Sequence, residues 1–209
     1  IYFIGLLFIL VDVLIYMSGE RSAFFFLNLS TVFIIILIKD YQKFRLVTFI
    51  IAIICITILS LNTSKFLVER MFLTPAKEMG LIKSPKKAVI FTQVHDSHIR
   101  TALKMFQDKP VFGHGPKMFR VKCSEPKYSV GKWPCSTHPH NFYVQLLAET
   151  GLVGFSFLLT ALGYVIYAGL KQFKSIIFKQ KRYLTDYQVC LLAGMLITLW
   201  PFTPNGNFF

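Results

Sequence analysis

Almost uninterrupted apolar stretches recur five times in this chain, over 1–17, 23–38, 46–61, 152–170 and 189–203. Each approaches the roughly 20 residues that an α-helix needs to cross about 30 Å of hydrocarbon. In lipid only a helix or a closed barrel satisfies its own backbone polar groups. The expected fold is therefore all-α, a polytopic helical membrane protein with about five spans. Composition agrees, since 54% of the 209 residues are hydrophobic, only 10 are acidic and the mean hydropathy is +0.54. That balance excludes a cytosolic enzyme of ordinary make-up, and it excludes disorder because so much apolar surface does not stay solvated. Ile1 falls in mid-span and the chain stops just beyond the fifth run, so it reads as a piece of a larger membrane protein. No charged segment precedes the first span and no small-residue cleavage site follows it, so no signal peptide is expected.

Charge sets an expected orientation. Lys39, Lys43 and Arg45 lie between the second and third runs, and Lys171, Lys174, Lys179, Lys181 and Arg182 between the fourth and fifth. Short basic loops stay cytoplasmic, and both do so if the long connection lies on the opposite side. The chain then divides into three spans over 1–61, one large, partly helical periplasmic loop over 62–141, and two spans over 142–209 joined by a basic cytoplasmic loop, 171–187. The long loop carries 14 Lys and Arg against 5 Asp and Glu, a net of +9; loops beyond about 60 residues escape the charge rule. Such a surface is either simply solvated or turned to an anionic partner such as a phosphate, a pyrophosphate or a lipid headgroup. Nucleic acid is not expected on the outer face of a membrane.

Within the loop, Phe66, Leu67, Val68 and Met71 behind Asn62, Thr63 and Ser64 suggest a short interfacial helix ended by Pro75. A second helix is expected from about Asp96 to Gln107, capped by Asp96 or Ser97, with Ile99, Ala102, Leu103 and Phe106 as its apolar face. Arg100 and Lys104 then share another flank. Pro110 and the run Gly113-His114-Gly115-Pro116 mark a turn that needs unusual backbone conformations. Cys123 and Cys135 follow, and the run 136–141 leads into a helix that enters the fourth span, placing His140 at the membrane edge near a helix N-terminus.

Arg21, Arg100 and His140 all fall on the outer side in this arrangement. A histidine beside a helix N-terminus favours its neutral form and can remove a proton from an attacking hydroxyl, although such a residue also serves as a cap or a surface group. Arg21 is either a snorkelling anchor or a residue buried against a partner charge. Two guanidiniums beside a base suit a phosphate-linked donor, because planar charged forks bind phosphate oxygens and stabilise charge on a departing pyrophosphate. The chain has no Asp-x-Asp pair, so a Mg²⁺-dependent transferase site has no evident ligands, and neither a metal nor a cofactor is expected. Cys123 and Cys135 form either a disulfide, stabilising by roughly 3 kcal/mol on an oxidising face, or part of a zinc quartet with His138 and His140. Cys55 and Cys190 read as packing residues inside spans.

His140-Asn141, nine residues, Gly151, two residues and Gly154 resemble the signature of the bacterial O-antigen ligase and O-antigen polymerase superfamily, in its C-terminal part. The stretch from Arg100 through Ala102-Leu103-Lys104-Met105-Phe106 to Asp108-Lys109-Pro110-Val111-Phe112-Gly113-His114-Gly115-Pro116 resembles the segment that precedes this motif. Ser18-Gly19-Glu20-Arg21-Ser22-Ala23 resembles the family's arginine-bearing span start. One departure stands out: members commonly carry a Trp where this chain has Lys104, Met105 and Phe106. The resemblance implies an inner-membrane, multi-pass enzyme of about a dozen spans, of which this is the catalytic C-terminal half, with its active site facing the periplasm. Such an enzyme takes a glycan from a polyprenyl pyrophosphate carrier to an acceptor hydroxyl without nucleotide sugar or metal. By position, His140 is the base and Arg21 and Arg100 hold the donor pyrophosphate, while Asn141, Gly151 and Gly154 support the motif. The acceptor, whether lipid A core, another glycan or protein, is not determined. Gly151 and Gly154 are expected mainly to let helices pack closely. A transporter or flippase of lipid-linked sugars, or a non-catalytic assembly subunit, remains the alternative, and neither needs a base.

Overall fold

The computed structural model describes residues 1–62, 65–82, 91–202 and 206–209. The elements are α1 (Tyr2–Ser18), α2 (Arg21–Leu37), α3 (Gln42–Asn62), α4 (Lys65–Val68), a π-helical turn (Glu69–Leu73), α5 (Thr74–Glu78), α6 (Gln93–Asp108), α7 (Phe119–Lys122), α8 (Phe142–Ile177) and α9 (Asp186–Thr198). Among the described residues there is no strand. α3, with 21 residues, and α8, with 36, are long and apolar enough to cross a membrane; α1 and α2, with 17 each, and α9, with 13, are apolar but shorter. The expected cap residues Thr63 and Ser64, and Thr203 at the end of the fifth apolar run, lie outside the described residues.

The chain folds as two units, Ile1–Thr74 with Tyr164–Leu199 and Pro75–Gly163 with Trp200–Phe209. In the first, α1 packs along α3 and α2 along α9. Gly5 makes the α1 contact close: a Cβ there would stand 2.7 Å from the Phe44 ring and 2.8 Å from Thr48. Tyr16 is wholly buried beside Ile56 and Met71, and its hydroxyl reaches Ser60 Oγ at 2.7 Å. Leu37, Ile38, Val165, Ala168, Val189 and Leu192 form a second apolar core. Gln172, fully buried, ties this core together: its Nε2 donates to the Leu37 carbonyl at 3.1 Å, and its Oε1 accepts from Tyr183 N and Leu184 N. Many large apolar side chains remain outside, among them Leu6, Leu10, Ile50, Ile54 and Ile166. Such a surface suits hydrocarbon as its solvent better than water.

Two local expectations are corrected. Pro75 does not end a helix; it is the second residue of α5, which continues directly from the π-helical turn. α6 starts at Gln93 with Thr92 as its N-cap position, so neither Asp96 nor Ser97 is the cap. Its buried face agrees with the expected one only at Ala102. Ser97, His98, Thr101, Ala102 and Met105 are buried, whereas Leu103 is exposed and Ile99 and Phe106 are half-buried. Polar partners from later in the chain decide this rotation.

Candidate functional site

The second unit is organised around a break in α8. Gly151 adopts φ 64° and ψ −160° inside the helix, a combination essentially restricted to glycine. The turn over 110–115 docks into that break. His114 N donates to the Ala148 carbonyl (3.0 Å), Gly115 N to that of Glu149 (2.8 Å), Leu152 N to that of Pro110 (2.8 Å) and Val153 N to that of Val111 (3.2 Å). Each chain thus satisfies groups that the other leaves open, as buried backbone requires. A Cβ on Gly113 would stand 2.6 Å from the Glu149 carbonyl oxygen, and one on Gly151 2.7 Å from Phe112 N. Gly151 therefore serves close docking of a turn onto a broken helix rather than helix-to-helix packing. Gly154 faces the Thr150 side chain one turn away on its own helix.

Asn141 caps α8: its Oδ1 accepts from Tyr143 N at 3.0 Å and Val144 N at 3.3 Å, and its Nδ2 donates to the Pro201 carbonyl at 2.9 Å. This double engagement seats the preceding residue. His140 has φ 57°, a left-handed conformation that histidine tolerates better than most residues but that still costs energy. About two helical turns inward, buried Glu149 accepts from Phe119 N (2.9 Å) and Gln145 Nε2 (3.0 Å), which fixes α7 against α8.

Around His140 the fold gathers three further imidazoles. Ring centroids lie 4.2 Å away for His138, 5.1 Å for His95 and 5.5 Å for His98. His140 Nε2 is 3.1 Å from Ser136 Oγ, and His95 Nδ1 is 3.1 Å from Thr92 Oγ1. His98 is buried and bonds to the Cys135 backbone. Burial, reinforced by His138 and His98, holds His140 below the ordinary imidazole value of 6.5. Burial also lowers His95, with His140 adding to the effect and Glu78 opposing it. For His98 burial again leads, followed by His95, with the Cys135 bond opposing. An uncharged ring that already presents a nitrogen to a hydroxyl is equipped to accept a hydroxyl proton.

Cys123 and Cys135 are joined in a disulfide with Cα atoms 5.1 Å apart, which removes both thiolates from the zinc quartet considered above. The bridge leads from α7 directly into the segment carrying Ser136, His138 and His140. Asp108, at the end of α6, pairs with Lys127 and accepts from the Tyr128 hydroxyl at 2.7 Å, holding the intervening loop. The Lys127 contact leads in lowering its carboxyl to about 2. Cys190 is exposed and Cys55 half-buried, so Cys190 is not a buried packing residue within its unit.

The two arginines are placed differently. Arg100 pairs with Asp96 on its own helix at 3.0 Å, with its side chain 61% exposed. At about 100° per residue it lies about 200° around α6 from His98, on a flank away from the histidine cluster. Arg21 belongs to the first unit, where it opens α2 and is exposed; among the described residues no hydrogen bond or ion pair engages its guanidinium. Arg70 of the π-helical turn lies against the same corner, its Nε donating to the Gly19 carbonyl at 3.2 Å. Sequence reasoning had passed over Arg70, His95 and His98. The signal for the histidines was present in the spacings His95-x-x-His98 and His138-x-His140, but a helix begun at Asp96 left His95 outside it.

A sequence model of a family described as O-antigen ligase matches residues 5–159, about three quarters of the chain. The matched stretch contains Arg21, Arg100, His140, Asn141, Gly151 and Gly154. No curated protein and no solved structure matches the chain.

Proposed function

The chain belongs to the O-antigen ligase family, and from that premise we propose that it moves a glycan from a polyprenyl pyrophosphate donor to an acceptor hydroxyl. The acceptor is a lipid A core, another glycan or a protein side chain. In this reading five spans cross the bacterial inner membrane, the segment 62–141 is periplasmic, and the site faces the periplasm. His140 Nε2 takes the acceptor proton while the acceptor oxygen attacks the anomeric carbon. The bond from that carbon to the donor phosphate breaks, and the pyrophosphate departs with the electron pair. Arg21 and Arg100 hold the pyrophosphate as planar forks; for Arg100 this means exchanging Asp96 for phosphate oxygens. The reaction needs no metal or cofactor, because guanidiniums supply the charge that a divalent ion would otherwise bring.

The observation that carries this reading is the His140 ring at a capped helix start, with its Nε2 3.1 Å from a hydroxyl oxygen and its pKa lowered chiefly by burial. Ser136 Oγ occupies the place that an acceptor hydroxyl takes during transfer. The test is reconstitution of the full chain with a polyprenyl-pyrophosphate-linked glycan and candidate acceptors in excess EDTA. Wild type transfers, His140→Ala does not, and Arg21→Lys and Arg100→Lys lose most activity because an ammonium cannot reproduce a bidentate fork. Normal transfer by His140→Ala overturns the base role. Donor binding without transfer by the folded wild type favours a flippase or a subunit without catalysis.

A further inference from the structure

Transfer as derived above uses one imidazole of four. His98 is only 3% exposed. It bonds to the Cys135 backbone carbonyl, while its Nδ1 is buried and, among the described residues, has no partner. The bond to Cys135 therefore uses Nε2 as the donor, and Nδ1 keeps its lone pair. A second proton on this ring would create a buried N–H with nothing to accept it, so His98 rests neutral. Its plane lies 29° from that of His140, with the centroids 5.5 Å apart. This is a face-to-face approach rather than an edge contact.

The titratable groups that face His140 are His95 and His98 from α6 and His138 from its own segment. From α5, Glu78 acts on His95 and favours a charge there. A proton arriving on His140 thus finds imidazole rings on three sides. Cys135 ties the arrangement together, since it anchors His98 through its carbonyl and precedes Ser136 by one residue.

Resting on the reading of His140 as the base, we propose that His98 is a positioning residue for the transfer: held by the Cys135 carbonyl, its neutral ring packs on the His140 ring, fixes its place and keeps it uncharged. Burial is the largest influence that lowers His140, and the stacked His98 ring covers one of its faces. The same packing disfavours retention of the acceptor proton on His140, so the ring returns to its neutral form for the next turnover.

Two substitutions separate the components. His98→Gln keeps an N–H donor for Cys135 but removes the ring, and His98→Phe keeps a flat ring but loses the bond. In the purified full chain without substrates, modification of His140 by diethyl pyrocarbonate, followed by mass spectrometry across pH, reads its neutral fraction directly. The midpoint in His98→Gln is expected to move up by about half a pH unit or more, as desolvation is relieved. The acid limb of the kcat/KM profile for transfer moves with it. His98→Phe leaves the midpoint near that of wild type and lowers the rate at every pH. An unmoved midpoint and limb in His98→Gln overturn the proposal even if the rate falls, because a merely structural role would do the same. A midpoint that moves while the limb stays fixed shows that His140 is not the base, and then the reading beneath the proposal fails instead.

Discussion

Gly151 and Val111 approach so closely that a Cβ on the glycine would overlap the Val111 carbonyl. The helix break and the turn over 110–115 consequently exist only as a pair. Without the turn, Leu152 and Val153 lose their acceptors; without the break, His114 and Gly115 lose theirs. This docking holds the first turns of α8, and through the Asn141 cap it reaches His140.

Gly151→Ala faces both a left-handed φ and a backbone obstacle that cannot rotate away. It is expected to cost on the order of 2–4 kcal/mol, seen as a lower thermal unfolding temperature and at least a tenfold loss of transfer. Gly154→Ala needs no left-handed φ and meets only Thr150, but its Cβ would stand 2.5 Å from Thr150 Cβ, which rotation cannot relieve. A local helix shift costing about 1–2 kcal/mol is therefore expected, less than for Gly151→Ala. Equal effects of the two substitutions would contradict this account.

Glu149→Leu leaves Phe119 N–H and one Gln145 amide hydrogen without their acceptors. Each orphaned donor costs about 1–3 kcal/mol in a buried position. Glu149→Gln retains one side-chain oxygen and should fall between wild type and the leucine variant. Denaturant titration followed by intrinsic fluorescence ranks the three.

Transfer should persist below pH 6.5, because burial and the neighbouring rings depress His140 and the neutral form is the active one. Stability moves in the same direction. His95, His98, His114 and His140 are all lowered in the fold, so the unfolded chain binds more protons as pH drops. Their contribution is full above about pH 6.5 and is lost as pH falls through the depressed folded values. Unfolding temperatures measured from pH 8 to pH 5 should decline below pH 6.5; a flat profile would refute the burial of these rings.

Reduction of the Cys123–Cys135 bridge should destabilise the protein by roughly 3 kcal/mol, as expected for a short closed loop. It should also slow transfer, since Cys135 anchors His98 and leads into the His140 segment. Cys123→Ser and Cys135→Ser are expected to match the reduced wild type in both stability and rate. A reduced protein with unchanged stability and rate would show that the bridge does not hold the segment.

The amino-acid order by itself determined the apolar helices α1, α2, α3, α8 and α9, the glycine turn over 113–115 and the His140-Asn141 start of α8. These are local matters: a helix pairs its own backbone, Gly19 accepts the left-handed cap of α1, and Asn141 bonds residues two and three positions away. Family membership was legible for the same reason, since its motifs are short and contiguous. Only the tertiary structure decided which face of α6 is buried. Periodicity pointed to Ile99, Ala102, Leu103 and Phe106, of which only Ala102 is buried; Thr101 Oγ1 accepts from Val130 N at 3.2 Å, and His98 meets Cys135. Those partners lie 29 and 37 residues onward, on a loop tied by the disulfide and by Asp108. Satisfying buried polar groups outweighed the modest gain from covering a few apolar ones. The histidine cluster follows from that rotation, because no local rule brings His95 and His98 against His140 until the loop returns across α6.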